Sequence, residues 1–253
     1  MAAQTDDSGP TLPAAIESAW GLRDRPPKGP RPGLSVPAIV DAAVRVADAD
    51  GLATVSMSRV AKELGSATMA LYRHVGSKDE LLTLMLDAGY GPPPGPPPPG
   101  SDWRAGLTRW AWAEHDVLRH RTWLLHVPIT GPPITPHQLG WLEDGLRCLD
   151  GTALAEGEKM STLLLVTGYV RNEATLTAQL AEGSRAAGAD PSELMRSYGR
   201  LVARLIDPAR FPALQRVLAA GVLSQDDDPD DEFTFGLDRI LDGIDALIRR
   251  RSA

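Results

Sequence analysis

Residues 91–100, with the sequence GPPPGPPPPG, limit the fold more than any other part of this 253-residue chain. We call them the proline-rich segment. Their seven prolines remove backbone N–H groups that a helix or an interior strand would need, and they favour an extended, semi-rigid backbone. The segment therefore predicts a loop, over residues 91–101, at a seam between two folded parts. A proline tract can also be a ligand for SH3-like modules, so a second interpretation stays open.

The periodicity on both sides of this segment is helical, and strand signals are nearly absent. One helical region precedes it, over residues 35–90. The stretches with helical spacing after it are residues 103–123, 135–148, 156–180, 191–205, 212–223 and 233–250. We expect an all-α fold with a flexible basic arm over residues 1–34, an N-terminal domain over residues 35–90 and a C-terminal domain over residues 102–253.

Composition excludes several classes of protein. The hydrophobic share of 43% and the charged share of 23% are ordinary for a globular chain with a packed core. The single cysteine, Cys148, cannot form an intramolecular disulfide, and no cluster has zinc-ligand spacing, so no metal is expected. There is no membrane-spanning run, signal peptide, nucleophile elbow, P-loop or Rossmann glycine pattern. We expect a cytoplasmic protein that is not an enzyme.

The charge is unevenly distributed along the chain. The net charge is -7, yet residues 21–78 carry nine Lys or Arg against five Asp or Glu, which is +4. The rest of the chain therefore carries 17 basic against 28 acidic residues, or -11. A basic N-terminal region on an acidic body is typical of a protein that contacts nucleic acid with one end only.

Helix-start and helix-stop residues divide residues 35–90 into four helices. Ser35 can cap a first helix of about four turns that stops at Gly51. A second, shorter helix begins at Ser56 and ends at Gly65, and after a short turn a third follows over residues 68–75. Two short helices about a glycine turn are the layout of a helix-turn-helix. The sequence SKDE, at residues 77–80, then has the spacing of a capping box.

The third of these helices would be the recognition helix. Leu71 and Val75 should face inward onto Val60 and Leu64. Base edges would then be read by side chains on the outer face, while serines of the second helix and a lysine after the third would hold phosphates. The residues expected to contact DNA are Ser56, Ser58, Thr68, Met69, Tyr72, Arg73, His74 and Lys78.

The basic arm has two interpretations. Lys28 and Arg31 lie in the sequence KGPRP, which is similar to arms that place arginine in a narrow minor groove while Pro and Gly keep the backbone extended. Alternatively, the arm is only a solubilising tail. Both interpretations stay open.

The sequences IVDAA at residues 39–43, MSRVAKELG at 57–65, LYRHV at 71–75 and KDELL at 78–82 together closely resemble the tetracycline-repressor (TetR) family. In that family the residues matching Tyr72, Arg73, His74 and Lys78 contact the operator. The resemblance further implies a homodimer on palindromic double-stranded DNA, which a small molecule releases by entering the C-terminal domain.

The C-terminal region also looks like the family's second domain. The resemblance lies in the helix that ends near Trp123, the proline-containing loop at 128–136 and the sequence LGWLE at 139–143. The tetracycline–magnesium site does not map onto this chain, so we expect an unknown small-molecule effector and no cofactor. Candidate pocket residues are Trp110, His115, Trp123, His126, Trp141, Tyr169, Asn172 and Glu173. Core packing explains the tryptophans equally well.

The sequence therefore predicts a TetR-type regulator, most simply a repressor, that dimerises through the helices at residues 156–180 and 233–250. The alternative is a ligand-independent DNA-binding regulator that is controlled by a protein partner, for example through the proline-rich segment.

Overall fold

The computed structural model describes residues 12–22, 34–188, 190–224 and 230–252, in which helices joined by loops are the regular structure and no strand is present. The predicted all-α class is confirmed. The helices are α1 (Ala14–Ala19), α2 (Val36–Asp50), α3 (Met57–Glu63), α4 (Thr68–Leu71), α5 (Lys78–Tyr90), α6 (Trp103–His120), α7 (Pro136–Cys148), α8 (Glu156–Ala187), α9 (Pro191–Leu205), α10 (Pro212–Ala219) and α11 (Asp231–Ser252).

These helices form two compact units. The first unit, Met1–Thr152, contains α1 to α7, and the second, Ala153–Ala253, contains α8 to α11. The seam that the sequence predicts at residues 91–101 therefore lies inside the first unit. Helices α6 and α7 belong to the same unit as α2 to α5.

Serine caps start the principal helices of the N-terminal region, as predicted. The hydroxyl oxygens of Ser35, Ser56 and Ser77 accept hydrogen bonds from amides three residues on, at 3.3, 3.2 and 3.0 Å respectively. Each bond satisfies an amide that has no partner within the first turn, a contribution of about 1 kcal/mol. The starts of α2, α3 and α5 are therefore determined locally.

The prediction of a flexible arm over residues 1–34 is wrong for α1. Ala15 and Ile16 are buried against α2 and α5. The Glu80 carboxylate accepts hydrogen bonds from the Ala15 amide at 3.1 Å and the Gly76 amide at 2.6 Å. The expected capping box is thus half formed, because Glu80 bonds these two amides and Ser77 alone caps the helix. Tertiary contacts order a segment whose own periodicity is weak.

The predicted helix over residues 103–123 is also too long. Helix α6 ends at His120, and a 3-10 turn, Thr122–His126, follows. Arg121 leaves the helical conformation with φ of -124° and ψ of 67°, and its guanidinium donates to the Gly89 carbonyl at 2.8 Å. The remaining predicted helices are present, although α8 continues to Ala187 and α10 ends at Ala219.

Helices α8 and α11 pack together in the second unit. The Tyr169 ring stacks on Phe233 with centroids 5.6 Å apart, and its hydroxyl donates to the Glu232 and Phe233 carbonyls, each at 3.0 Å. The ends of the two helices are joined by Glu158 and the Arg251 guanidinium, which are 2.6 Å apart. The hydrogen bond from Arg251 is the main reason why the pKa of Glu158 lies below its ordinary value.

Candidate nucleic-acid interface

The turn between α3 and α4 is built around a glycine. Gly65 has a φ of +60°, a conformation that residues with a Cβ rarely adopt. Its amide donates to the Lys62 carbonyl at 3.1 Å, and the Ser66 amide donates to the Ala61 carbonyl at 2.9 Å. These bonds end α3 and turn the chain into α4, as a helix-turn-helix requires.

The inner face of the motif is apolar. Val60, Leu71 and Val75 are fully buried, as the sequence predicts, whereas Leu64 is only half-buried. Regular helix covers only Thr68–Leu71 of the predicted recognition helix, residues 68–75. The chain continues as turns through His74, whose amide donates to the Leu71 carbonyl at 2.9 Å. The two buried side chains fix which face of this segment points outward.

The outward face presents the side chains predicted to read bases. Met69 is 72% exposed and Tyr72 is 43% exposed, Arg73 is exposed, and Thr68 and His74 are half-buried. Among the described residues, the side chains of Tyr72, Arg73 and His74 have no hydrogen-bond or ion-pair partner. A cation and polar groups without internal partners are available to an external ligand.

The predicted phosphate-contacting residues lie at two helix starts. Ser58 is exposed and its hydroxyl lies 3.1 Å from that of Ser56, which already caps α3. Lys78 is the first residue of α5, exposed and without a partner among the described residues. The free amides and positive dipole end of a helix favour a phosphate at such a position.

Not every cation in this region is free. The Arg59 guanidinium is 3.0 Å from the Asp50 carboxylate, with both side chains partly exposed. This ion pair ties α3 to the end of α2. Arg59 is therefore a less suitable phosphate ligand than Lys78, a distinction that residue type alone does not make.

The predicted arm residues Lys28 and Arg31 lie outside the described residues. The chain that precedes them is anchored, because α1 packs on α2 and α5 and the Trp20 indole donates to the Ile134 carbonyl at 2.8 Å. Deleting residues 1–33 would remove this anchor together with the arm. The contribution of the two cations to DNA binding must therefore be measured by substituting Lys28 and Arg31 themselves.

Five of the candidate ligand residues lie in the first unit. Trp110 and Trp141 are buried together, with the Trp110 indole N–H donating to the Trp141 carbonyl at 2.9 Å and ring centroids 6.1 Å apart. His115 is buried beside Trp112, whereas His126 is exposed. Trp123 is buried, and its indole donates to Asp48 at 2.6 Å. These packing contacts account for the three tryptophans without a ligand.

The other three candidates lie on α8 in the second unit. Asn172 is exposed and Glu173 is half-buried. Tyr169 is half-buried, and this burial, followed by the charges of Glu173 and Glu232, raises the pKa of its phenol. The phenol is therefore protonated at neutral pH and donates to the carbonyls of α11.

Sequence reasoning missed two carboxylates that connect elements of the first unit. Asp48, on α2, accepts from Trp123 and lies 3.5 Å from the Arg121 guanidinium. Asp87, on α5, is buried and accepts from the His137 and Gln138 amides at the start of α7, at 2.8 and 3.1 Å. Their partners are 50 or more residues away in sequence, so no local pattern marks them.

Two classes of site or segment are missing from the described part of the chain. No group of three or more His, Cys, Asp or Glu side chains is placed to hold a metal ion. None of the described helices combines the length and the apolar character needed to cross a bilayer.

A helix-turn-helix with an exposed basic and aromatic face, followed by a long series of helices, defines a helical DNA-binding regulator. Comparison with known proteins identifies the family to which this regulator belongs. Residues 39–85 match the description "Bacterial regulatory proteins, tetR family", and residues 96–248 match "Tetracyclin repressor-like, C-terminal domain". The chain belongs to the TetR family of transcriptional regulators, and the resemblance stated from sequence is confirmed. Members of this family are regulators and not enzymes.

Relatives extend along nearly the whole chain. The HTH-type transcriptional repressor DrrR1 of Streptomyces coeruleorubidus is 37% identical over 98% of this chain and 90% of its own length. An HTH-type transcriptional regulator of Saccharopolyspora erythraea is 31% identical over 69% of this chain and 80% of its own length. The fold is similar to that of ActR from Streptomyces coelicolor, solved in complex with actinorhodin. That structure has a TM-score of 0.71 and 24% identity, and the alignment covers 86% of this chain and 98% of ActR.

Proposed function

We propose that this regulator is a repressor that binds a palindromic operator as a homodimer and leaves it when a small molecule occupies the C-terminal helical domain. The observation that carries the DNA-binding part is the exposed face of α4 and the following turn, where Tyr72 and Arg73 have no partner among the described residues. Repression is supported by the 37% identity with DrrR1. A regulator of bacterial DNA acts in the cytoplasm.

Dimerisation is supported by the apolar surface of the second unit. Large apolar side chains are usually buried, and an exposed group of them on neighbouring helices marks an interface. Helix α8 exposes five of them, and α11 exposes one more. They are Met160, Leu164, Leu165, Leu176, Leu180 and Phe235. A two-fold interface would bury each of these residues twice and would place two recognition helices about 34 Å apart, on successive major grooves.

Substitutions on the DNA face test operator binding. We expect Tyr72→Ala or Arg73→Ala to weaken specific binding by about 1 to 3 kcal/mol, because each removes a contact to base edges. Lys78→Ala should instead weaken binding to all sequences alike and lower the slope of log K against log salt by about 1, because it removes one phosphate contact. Fluorescence anisotropy on operator and random duplexes at several salt concentrations measures both effects.

Arg59→Ala is the matched control for this series, because Arg59 lies on the same motif but is already paired with Asp50. It should change affinity less than Arg73→Ala does. Wild-type affinity for the operator in all three test variants would contradict the assignment of this face.

Ligand release is tested by thermodynamic linkage. A compound that acts as effector must weaken operator binding by the same factor by which the operator weakens binding of the compound. For nearly complete release, the compound must prefer the released state by about 5.5 kcal/mol. Calorimetric titration of the free protein and of its operator complex with the same compounds measures both factors. Actinorhodin, the ligand in the ActR structure, is a first probe. Compounds that bind the protein tightly yet leave operator affinity unchanged would contradict the release mechanism.

A further inference from the structure

The proline-rich segment is packed against the rest of its own unit from Gly91 to Pro97. As far as Pro98, its residues alternate between half-buried and exposed positions. The half-buried ones are Gly91, Pro93, Gly95 and Pro97, and the exposed ones are Pro92, Pro94, Pro96, Pro98, Pro99 and Gly100. A free spacer would expose all of them. The alternation indicates that one side of the extended backbone packs against the rest of the first unit.

Hydrogen bonds to backbone carbonyls hold the proline-rich segment in place, since prolines have no N–H to donate. The Arg109 guanidinium, on α6, donates to the Pro94 carbonyl at 3.2 Å and to the Gly95 carbonyl at 2.7 Å. The Trp141 indole, on α7, donates to the Gly91 carbonyl at 3.1 Å. Two helices that follow the segment in sequence therefore both hold it. Hydrogen bonds from a charged donor are stronger than neutral ones, so Arg109 is the main anchor.

Two helical glycines lie close to proline rings of the segment, and one of them makes room for its ring. A Cβ added to Gly140, on α7, would lie 3.3 Å from Pro93 Cγ. One added to Gly106, on α6, would lie 3.3 Å from the Cys148 side chain and 3.5 Å from Pro97 Cβ, the second being an ordinary van der Waals distance. Glycine within a helix is less stable than alanine, so its presence there calls for a packing reason. Close packing of the Pro93 ring against α7 accounts for glycine at position 140, whereas at position 106 the tighter neighbour is Cys148.

The helix before the segment is joined to the same elements. The buried Asp87 carboxylate, in the last turn of α5, caps the start of α7 by accepting two of its free amides. Helix α5 in turn packs on α2, so it connects α7 to the part of the unit that contains the DNA-binding motif. The proline-rich segment thus leaves α5 at a point already joined to α7 and is then held by Arg109.

We propose that the proline-rich segment is a brace that makes the DNA-binding motif, α5, α6 and α7 one rigid body, and that Arg109 is a positioning residue for operator recognition. A stiff extended chain anchored along its length transmits displacement, whereas a flexible linker absorbs it. The inference rests on the proposed function, because the orientation of the motif matters for the distance between the two half-sites that a dimer reads. The carbonyls held by Arg109 are also unavailable to a proline-binding partner.

Operator spacing tests this proposal. Each added base pair moves one half-site by about 3.4 Å and turns it by about 36°. Wild-type protein should bind an operator with one added central base pair about tenfold more weakly than the best operator selected from random DNA, since one rigid geometry fits one spacing. In two variants, Arg109→Ala and a chain with all seven prolines of the segment replaced by serine, the affinities for these two operators should differ by less than about threefold.

Arg109→Lys keeps a cationic donor and should restore most of the discrimination. The control is Arg147→Ala on α7, which removes an exposed arginine whose ion-pair partner in the described part of the chain is Glu143, and it should behave as wild type. Equal spacing discrimination in the wild type and in the seven-serine chain would overturn the proposal. The seven-serine chain keeps Arg109 and the length of the segment, so it remains decisive if Arg109→Ala does not fold.

Hydrogen exchange gives a second measurement that needs no DNA. Loosening the brace should speed exchange of amides in the last turn of α5 and the first turn of α7 by at least about tenfold, because these turns open locally, and should leave α2 and α3 unchanged. If the chain binds no operator, the proposed function fails, and the brace is then tested by the hydrogen-exchange rates alone. Faster exchange confined to these two turns then supports it, and unchanged exchange overturns it.

Discussion

Replacing both Leu164 and Leu176 with aspartate should convert the proposed dimer into a monomer and abolish tight operator binding. The two side chains are 76% and 57% exposed on α8, so the substitutions leave the core of the second unit intact. In a two-fold interface each substitution occurs twice, which would bury four carboxylates without partners at a cost of several kcal/mol each. A monomer holds one half-site only, so operator affinity should fall by a factor of about 100 or more.

Sedimentation equilibrium at micromolar concentration measures the first effect, and anisotropy on the full operator measures the second. Ile129→Asp is the control, because Ile129 is 75% exposed in a loop of the first unit. It should leave both the mass and the affinity at wild-type values. A double variant that still sediments as a dimer would show that α8 is not the interface. Single half-sites should be bound equally weakly by the wild type and the double variant.

Trp123→Ala should lower the melting temperature by about 10 °C, the largest stability effect that we expect from one substitution. Trp123 is buried and contacts Gly89 so closely that a Cβ there would lie 2.7 Å from the indole. Removing a buried tryptophan side chain costs about 3 to 5 kcal/mol. In a chain of this size each kcal/mol shifts the melting temperature by about 2 to 4 °C. Thermal unfolding followed by circular dichroism measures the shift.

Two further variants separate packing from hydrogen bonding at Trp123. Trp123→Phe keeps most of the packing and loses the bond to Asp48, worth about 1 kcal/mol. Asp48→Asn keeps an oxygen acceptor for the indole and loses only the exposed ion pair with Arg121, so it should be nearly neutral. A melting temperature for Trp123→Ala within about 2 °C of wild type would contradict the structural role of this side chain.

The DNA-binding motif could be predicted because its signals are local. Ser35, Ser56 and Ser77 each act on an amide three residues away, and Gly65 provides the left-handed turn between α3 and α4. Apolar spacing then assigns Leu71 and Val75 to the core and, by exclusion, Tyr72 and Arg73 to the surface. The assignment of these two residues to DNA contact stays a prediction.

The rest of the first unit depends on contacts between residues distant in sequence. Helix α6 ends at His120 although no proline or glycine follows, because Arg121 and Trp123 bond to Gly89 and Asp48 instead. The proline-rich segment could be predicted as non-helical but not as packed, since Arg109 has no distinctive local setting. Pocket residues are harder still, because a buried tryptophan has the same sequence pattern in a core as in a binding site.

An isolated DNA-binding domain of this chain should include helix α1. Ile16 is 2% exposed and packs on the apolar surface of α2 and α5. The Ala15 amide donates a hydrogen bond to one carboxylate oxygen of Glu80. A fragment cut at Ser35, where the helix-turn-helix begins in sequence, would expose that surface to water and leave the carboxylate with one partner fewer. Biophysical work on an isolated DNA-binding domain should therefore use a fragment that retains α1 and its N-cap residue, Pro13.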